Sequence, residues 1–356
     1  MIQAWNRFWF APAPTHLLSL VRVFTGVWIL MKRVGLSGLY RLPDWKVSFT
    51  RHAVKSERDY HLIGFRDPMP GFEWLPVPSV ELYQAMEGGL TVLGVMMIVG
   101  LFTRPVVATI AAYYVWLHLV SRFPYVHHNA VFGVTFVVLA LSHCGDHYSV
   151  DALFRRAPAP ERPIYPLRML QIFVSTLYGS TTLGKLNEGW FDGRMMELLY
   201  ENGHMKGALY EWVYTHVGPR LLGHFTLFAE GFVSLGLWIP QLRLPAILSG
   251  VALHAGIDSV MAVTTFSYQI TSLYVVFLDP RPHRTVVRGA RGLRWLDWLC
   301  RARWEPGERF EVVAPGGQAY RGLRAAVEIG LRMPMTFPLA MGLGLPFTLW
   351  GKRRSA

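Results

Sequence analysis

Long apolar stretches recur along this chain, and they constrain its fold more than any other feature. They are His16–Val34, Tyr83–Leu101, Pro105–Ser121, His128–Cys144, Leu167–Lys185, Leu221–Ile239, Leu244–Met261 and Thr264–Leu278. A transmembrane helix needs about 20 mostly apolar residues, and shorter or polar-interrupted spans occur inside bundles. The pattern therefore predicts an all-α polytopic membrane protein with about eight transmembrane helices. A ninth apolar stretch, Met335–Trp350, contains Pro338, Gly342, Gly344 and Pro346, which interrupt a helical backbone ladder repeatedly. Eight spans are therefore counted, with this stretch held as a possible ninth. Composition agrees with the bilayer: 52% of residues are hydrophobic and only 16% charged, against roughly 25% charged in soluble domains. Disordered, collagen-like and disulfide-scaffold classes are excluded by the same figures. Cys144 and Cys300 form no redox or metal motif, and their spacing gives no reason to pair them.

Charge sets the expected orientation. Arg104, the Arg155/Arg156/Arg162 cluster, Arg243 and the C-terminal tail fall in alternate loops, hence on one side. The other side receives Leu36–Leu82, which is balanced, and Glu188–Pro219, which is net acidic; Arg122 is the dissenting short-loop charge. Positive charge collects inside, so both termini are expected in the cytoplasm of a bacterium, across its inner membrane. Of the net +12, most lies after Pro280, where 14 Lys/Arg face 5 Asp/Glu. With no nucleic-acid module in sight, anionic lipid head groups are the expected partner, besides the bilayer itself. The N-terminus lacks the small-residue cleavage pattern of a signal peptide.

Two domains are expected: a membrane body, residues 1–280, and a basic cytoplasmic tail, residues 281–356. Within the tail, Phe310–Tyr320 reads as strand, Pro-Gly-Gly turn, strand, and Gly322–Gly330 as a short helix, giving a small α+β unit.

Ionisable side chains in hydrocarbon cost about 2.5–3.5 kcal/mol each on insertion scales, so each needs a reason. Arg22, well inside the first span, is expected to pair with Glu87 or Glu230. Lys32 and Arg33 can snorkel. Polar residues cluster at His127, His128 and Asn129, at His143, Asp146 and His147, and from Thr181 to Asp192; His254 and Asp258 share a face of the seventh span. For any single histidine, a satisfied core position is the competing explanation. No metal is expected, because no HExxH spacing exists and adjacent helical histidines diverge by about 100°. Lys185 has two readings. In a dry pocket it is a general base, since burial disfavours the ammonium; otherwise it is a snorkelling cation paired with Glu188 or Asp192.

These residues carry a family resemblance. Leu183-Gly184-Lys185-Leu186-Asn187-Glu188-Gly189-Trp190-Phe191-Asp192-Gly193 resembles the Gly-x-Lys-Lys-Leu-x-x-x-Trp-x-x-Gly segment of the vitamin K-dependent gamma-carboxylases, with Gly184 replacing the first lysine. Leu20-Val-Arg22-Val-Phe-Thr-Gly26 is similar to their first-span Phe-Arg-x-x-x-Gly. Tyr125–Gly133 and His147-Tyr-Ser-Val-Asp151 resemble the Asn-His and His-Tyr-Trp-Ser-Val-Asp segments, and His254 with Phe266-Ser267-Tyr268 the late histidine and Phe-Ser-Tyr. Together they identify the chain as a member of the horizontally transferred transmembrane (HTTM) domain family.

The resemblance implies a reduced, menaquinol-like quinone as cofactor, Lys185 as the base that deprotonates it, and His128 and His254 on its oxygens. His127, Glu230, Trp190 and Tyr268 would complete the binding site. From Pro315-Gly-Gly-Gln-Ala-Tyr-Arg-Gly-Leu-Arg-Ala-Ala to Gly351-Lys the tail is similar to the end of a DCC-type thiol-disulfide oxidoreductase domain without its Cys-x-x-Cys, which would make it a scaffold remnant. The large lumenal domain of animal carboxylases has no counterpart, so protein carboxylation itself is not expected. Three functions stay open: quinol-linked oxidation or proton abstraction, a non-catalytic accessory role in peptide production or export, and transport of a small molecule or lipid through the same polar cavity.

Overall fold

The apolar stretches fold as helices whose ends are fixed by glycine, proline and short polar side chains. The computed structural model describes residues 1–34, 68–121, 127–155, 159–202, 208–260, 266–280, 285–297, 302–314 and 317–330, and the statements below concern these. Two compact units are present, Met1–Leu278 and Asp279–Ala356.

In the first unit, α1 (Ile2–Phe10) precedes a two-residue strand, β1 (Pro12–Ala13), and the first long helix, α2 (His16–Val34). Then come α3 (Val80–Val99), α4 (Thr103–Val120), α5 (His127–Ala140) and the single turn α6 (Val150–Leu153). Strand β2 (Arg162–Pro163) pairs antiparallel with β1 and leads into α7 (Tyr165–Gly184). The segment read as an outer loop is itself helical: α8 (Glu188–Phe191), α9 (Arg194–Glu201) and α10 (Ala208–Val217). Next are α11 (Pro219–Gly236), α12 (Arg243–Val260) and α13 (Phe266–Ser272).

The eighth apolar stretch departs from a regular span. After α13 it tightens into a 3-10 helix, Leu273–Phe277. Such winding changes which carbonyls are paired, and Gln171 on α7 donates its side-chain N–H to the Val276 carbonyl at 2.6 Å. Among the described helices, Val80–Val99 alone is both long and apolar enough to cross a membrane by itself; His16–Met31 and Asn129–Ala140 are shorter apolar helices.

α2 packs on α3, α4 on α5, and α7 on α11, while α12 joins α11 to α13. The interior is aliphatic and aromatic: Leu17, Val21 and Ile29 from α2, Leu90 and Met97 from α3, Leu170 and Val174 from α7. Tyr114 meets Phe132 and Phe136 with ring centroids 5.5 and 5.0 Å apart, locking α4 to α5.

Arg22 is fully buried, and its partners correct the expected ion pair. Its guanidinium donates to the carbonyls of His147 and Tyr148 and to Thr103 Oγ1. Glu87 instead accepts from Tyr113 Oη at 2.6 Å, and Glu230 is engaged elsewhere. The physical reason is local supply. The turn after α5 offers carbonyls outside any helical ladder, and a guanidinium with five donors satisfies several at once. Asp151 completes the node by accepting from the backbone N–H of Phe102 (2.9 Å) and Thr103 (2.7 Å), capping α4.

Burial pushes the Asp151 carboxyl upward, but the Thr103 and Phe102 donors and the Arg22 charge outweigh it and leave it below its ordinary range. A carboxyl depressed on folding stabilises above its unfolded pKa and loses that contribution as pH falls. Burial likewise favours the neutral form of the His147 ring, against the pull of Asp146, so loss begins as pH drops through the imidazole range. Thermal unfolding in detergent should therefore show stability falling steadily from neutral to acid pH. Asp151→Asn should flatten the carboxylate part of that slope at a cost of about 1 kcal/mol near neutrality. An unchanged slope would remove Asp151 from the account.

The second unit holds a four-stranded sheet ordered β4-β3-β5-β6, with β3 (Val286–Arg288), β4 (Arg303–Glu305), β5 (Glu311–Val313) and β6 (Ala319–Arg321), followed by α14 (Gly322–Gly330). The expected β5–β6 pair and the helix are present, with Val312 opposite Tyr320; β3 and β4 were not anticipated. Val287 and Val312 bury one face against Ala325 and Ile329. On the other, Glu305, Arg288, Glu311 and Arg321 stand in register as alternating charges. Met335–Trp350 and Cys300 lie outside the described residues, while Cys144 is a buried free thiol.

Candidate functional site

α7 is the spine of the polar interior. Lys185 is its C-cap, and its amine donates to both carboxylate oxygens of Glu230, at 2.7 and 2.9 Å. Neither group is in open water: the side chains retain 19% and 10% of their exposure. Trp190, carried by α8, places its ring 5.2 Å from Nζ, a cation–π contact. The same tryptophan packs with Leu199, Tyr214 and Leu222 around Met196, so α9 and α10 hold it in place. The alternative expectation, Lys185 bound to Glu188 or Asp192, is corrected: Asp192 accepts from the Arg194 backbone N–H instead. Glu230 wins because α7 and α11 are packed together, which aims its carboxylate at the end of α7.

Seven residues earlier on α7, hence on the same face and about 10 Å away along the axis, stands Tyr178. Its hydroxyl meets His254 Nε2 at 2.5 Å and the hydroxyl of Tyr274. All three side chains are buried. Through the shared face of α7, Lys185 with Glu230 and Tyr178 with His254 and Tyr274 make two polar clusters inside an apolar bundle. Phe266 closes the His254 ring edge-on, with centroids 5.5 Å apart.

Tyr268 is not brought to Lys185. Its hydroxyl donates to Asp258 (3.1 Å) and its ring stacks on Trp28 at 5.4 Å. His127 and His128 open α5, but their side chains lie outside the described residues. Tyr178 and Tyr274 were missed by sequence reasoning. The seven-residue step from Tyr178 to Lys185 was the available signal for the first. For Tyr274 it was Gly250, one turn from His254, where an added Cβ would overlap the Tyr274 hydroxyl.

Lys185, Glu230, Tyr178 and His254 thus make an internal polar site within a helical body. The chain belongs to the HTTM domain family, whose sequence model matches residues 10–281. No curated protein and no solved structure matches it.

Proposed function

We propose that this HTTM protein is a multi-pass protein of a bacterial inner membrane, with cytoplasmic termini, that binds a reduced quinone head group at Lys185 and Glu230 and removes its proton. The bidentate Lys185–Glu230 contact in a nearly dry setting carries this reading. Lys185 can act as a base only after releasing a proton, and its hydrogen bonds to Glu230 provide the path. With the proton on Glu230, the neutral amine accepts one from a quinol hydroxyl, and the resulting ammonium pairs with the quinolate. His254, with His128 by resemblance, would hold the oxygens; Trp190 supplies an aromatic wall.

Support for several spans comes from the outward faces. Leu221, Phe225, Phe228 and Leu235 form an exposed apolar stripe on α11, and Leu244, Leu248 and Val251 one on α12. The same helices bury Glu230, Ser234 and His254. This inside-out pattern suits lipid rather than water. Helices of 18 residues such as α4, α11 and α12 reach about 27 Å, close to the hydrocarbon thickness of about 30 Å. A cysteine placed at Ala208 should then be labelled from outside intact cells, and one at Ala319 only after lysis. The reverse result would invert the topology.

Organic extraction of the purified protein tests the function: a co-purifying menaquinone is expected from wild type and not from Lys185→Met. Absence from wild type, together with no binding of added menadiol, would sink the quinol reading. The accessory reading draws on the same contact, because an ion pair that consumes both groups can also be a scaffold. Cellular function retained after replacing both residues with apolar ones would favour it.

A further inference from the structure

His254 is almost wholly buried, and among the described residues its Nδ1 has no hydrogen-bond partner, although Nε2 is bonded to Tyr178. Tyr178 Oη serves two neighbours, His254 and Tyr274. A hydroxyl has one proton to give and two lone pairs, so it can donate to only one of them. A neutral imidazole nitrogen is a stronger acceptor than a phenol oxygen, and a phenol is the more acidic donor. The chain therefore runs from Tyr274 O–H to Tyr178 Oη, and from Tyr178 O–H to His254 Nε2. With Nε2 accepting, the neutral ring carries its proton on Nδ1.

The arrangement is built rather than incidental. Gly250 lies on α12, where a glycine weakens the helix relative to alanine, yet any Cβ there would overlap the Tyr274 hydroxyl. Tyr274 itself comes from the 3-10 segment whose Val276 carbonyl is held by Gln171.

We propose that Tyr178 and Tyr274 are positioning residues that fix His254 as an Nδ1–H donor, and that this donor binds a carbonyl or phenolate oxygen of the quinone head group. The inference rests on the quinol reading above and adds to it the polarity of one contact.

The test uses the full chain in lipid nanodiscs. With 15N-labelled histidine, the His254 signals, identified by their loss in His254→Gln, should show a protonated Nδ1 and a bare Nε2. In Tyr178→Phe that preference should disappear. Menadione binding, followed by tryptophan quenching, should weaken roughly tenfold in Tyr178→Phe and less in Tyr274→Phe. In a His254→Ala background, Tyr178→Phe should cause no further loss, which a merely structural tyrosine would not produce. A protonated Nε2 in wild type would overturn the inference, as would a Tyr178→Phe loss undiminished without His254. Wild type binding menadione with Tyr178→Phe silent would overturn it and leave the quinol reading standing. A protonated Nδ1 without any menadione binding would overturn the quinone assignment together with that reading.

Discussion

Glu230→Ala is expected to destabilise the folded protein by about 3–5 kcal/mol, toward the lower end because Lys185 keeps 19% of its side-chain exposure. The substitution leaves an ammonium in the bundle beside the Trp190 ring, and an uncompensated charge costs more than the pair was worth. Lys185→Met should cost a similar amount by stranding the carboxylate. Lys185→Met combined with Glu230→Leu should be far milder, since apolar side chains of comparable volume remove both desolvation penalties at once. Melting temperatures in detergent would follow all three. The double variant also separates chemistry from scaffold: a folded protein that no longer binds menadiol ties the pair to function. Single variants as stable as wild type would mean that the pair is solvated and the site open.

Some of this was legible from residues alone. The helices follow the apolar stretches because sustained apolar runs allow few other solutions in a membrane. The β5–β6 hairpin and α14 follow from turn residues and periodicity, which are local signals. What remained hidden depends on tertiary placement. Lys185 could be singled out, yet its partner is 45 residues away on α11, and no local rule prefers Glu230 over Glu188 or Asp192. Tyr178 and Tyr274 acquire their role only where α7 and the 3-10 segment bring them to His254. The change from α13 into 3-10 winding was equally invisible, since it depends on Gln171 waiting across the interface to take a carbonyl. The His147-Tyr-Ser-Val-Asp151 motif stood out in sequence, but its described contacts are architectural: its carbonyls receive Arg22, and its aspartate caps α4.

That node leaves no room for a side chain at Gly100. Gly100 ends α3 at φ +73°, in the left-handed region, where its N–H still bonds to the Met96 carbonyl at 2.8 Å. An alanine there meets a backbone penalty of about 1–2 kcal/mol. Its Cβ would also overlap Arg22 Nη1 and Ser149 Cβ and come within 2.7 Å of the Ser149 Cα. The guanidinium cannot swing aside without abandoning the carbonyls of His147 and Tyr148. Ser149 cannot retreat because Asp151, two residues on, is tied by its own N–H to the Gly100 carbonyl at 3.1 Å. Adding the cost of overpacking, Gly100→Ala should lose about 2–5 kcal/mol. Arg22→Leu should lose up to a comparable amount, because the partly buried carbonyls of His147 and Tyr148 each lose a charged donor, and such a loss costs about 1–3 kcal/mol where burial is complete. Combining Gly100→Ala with Arg22→Leu tests the mechanism: one overlap disappears and the Ser149 overlap stays, so the joint loss should fall short of the sum without vanishing. Thermal unfolding of the four proteins in one detergent reads this directly. Strict additivity would mean that the glycine serves the backbone turn alone and not the seat of the buried arginine.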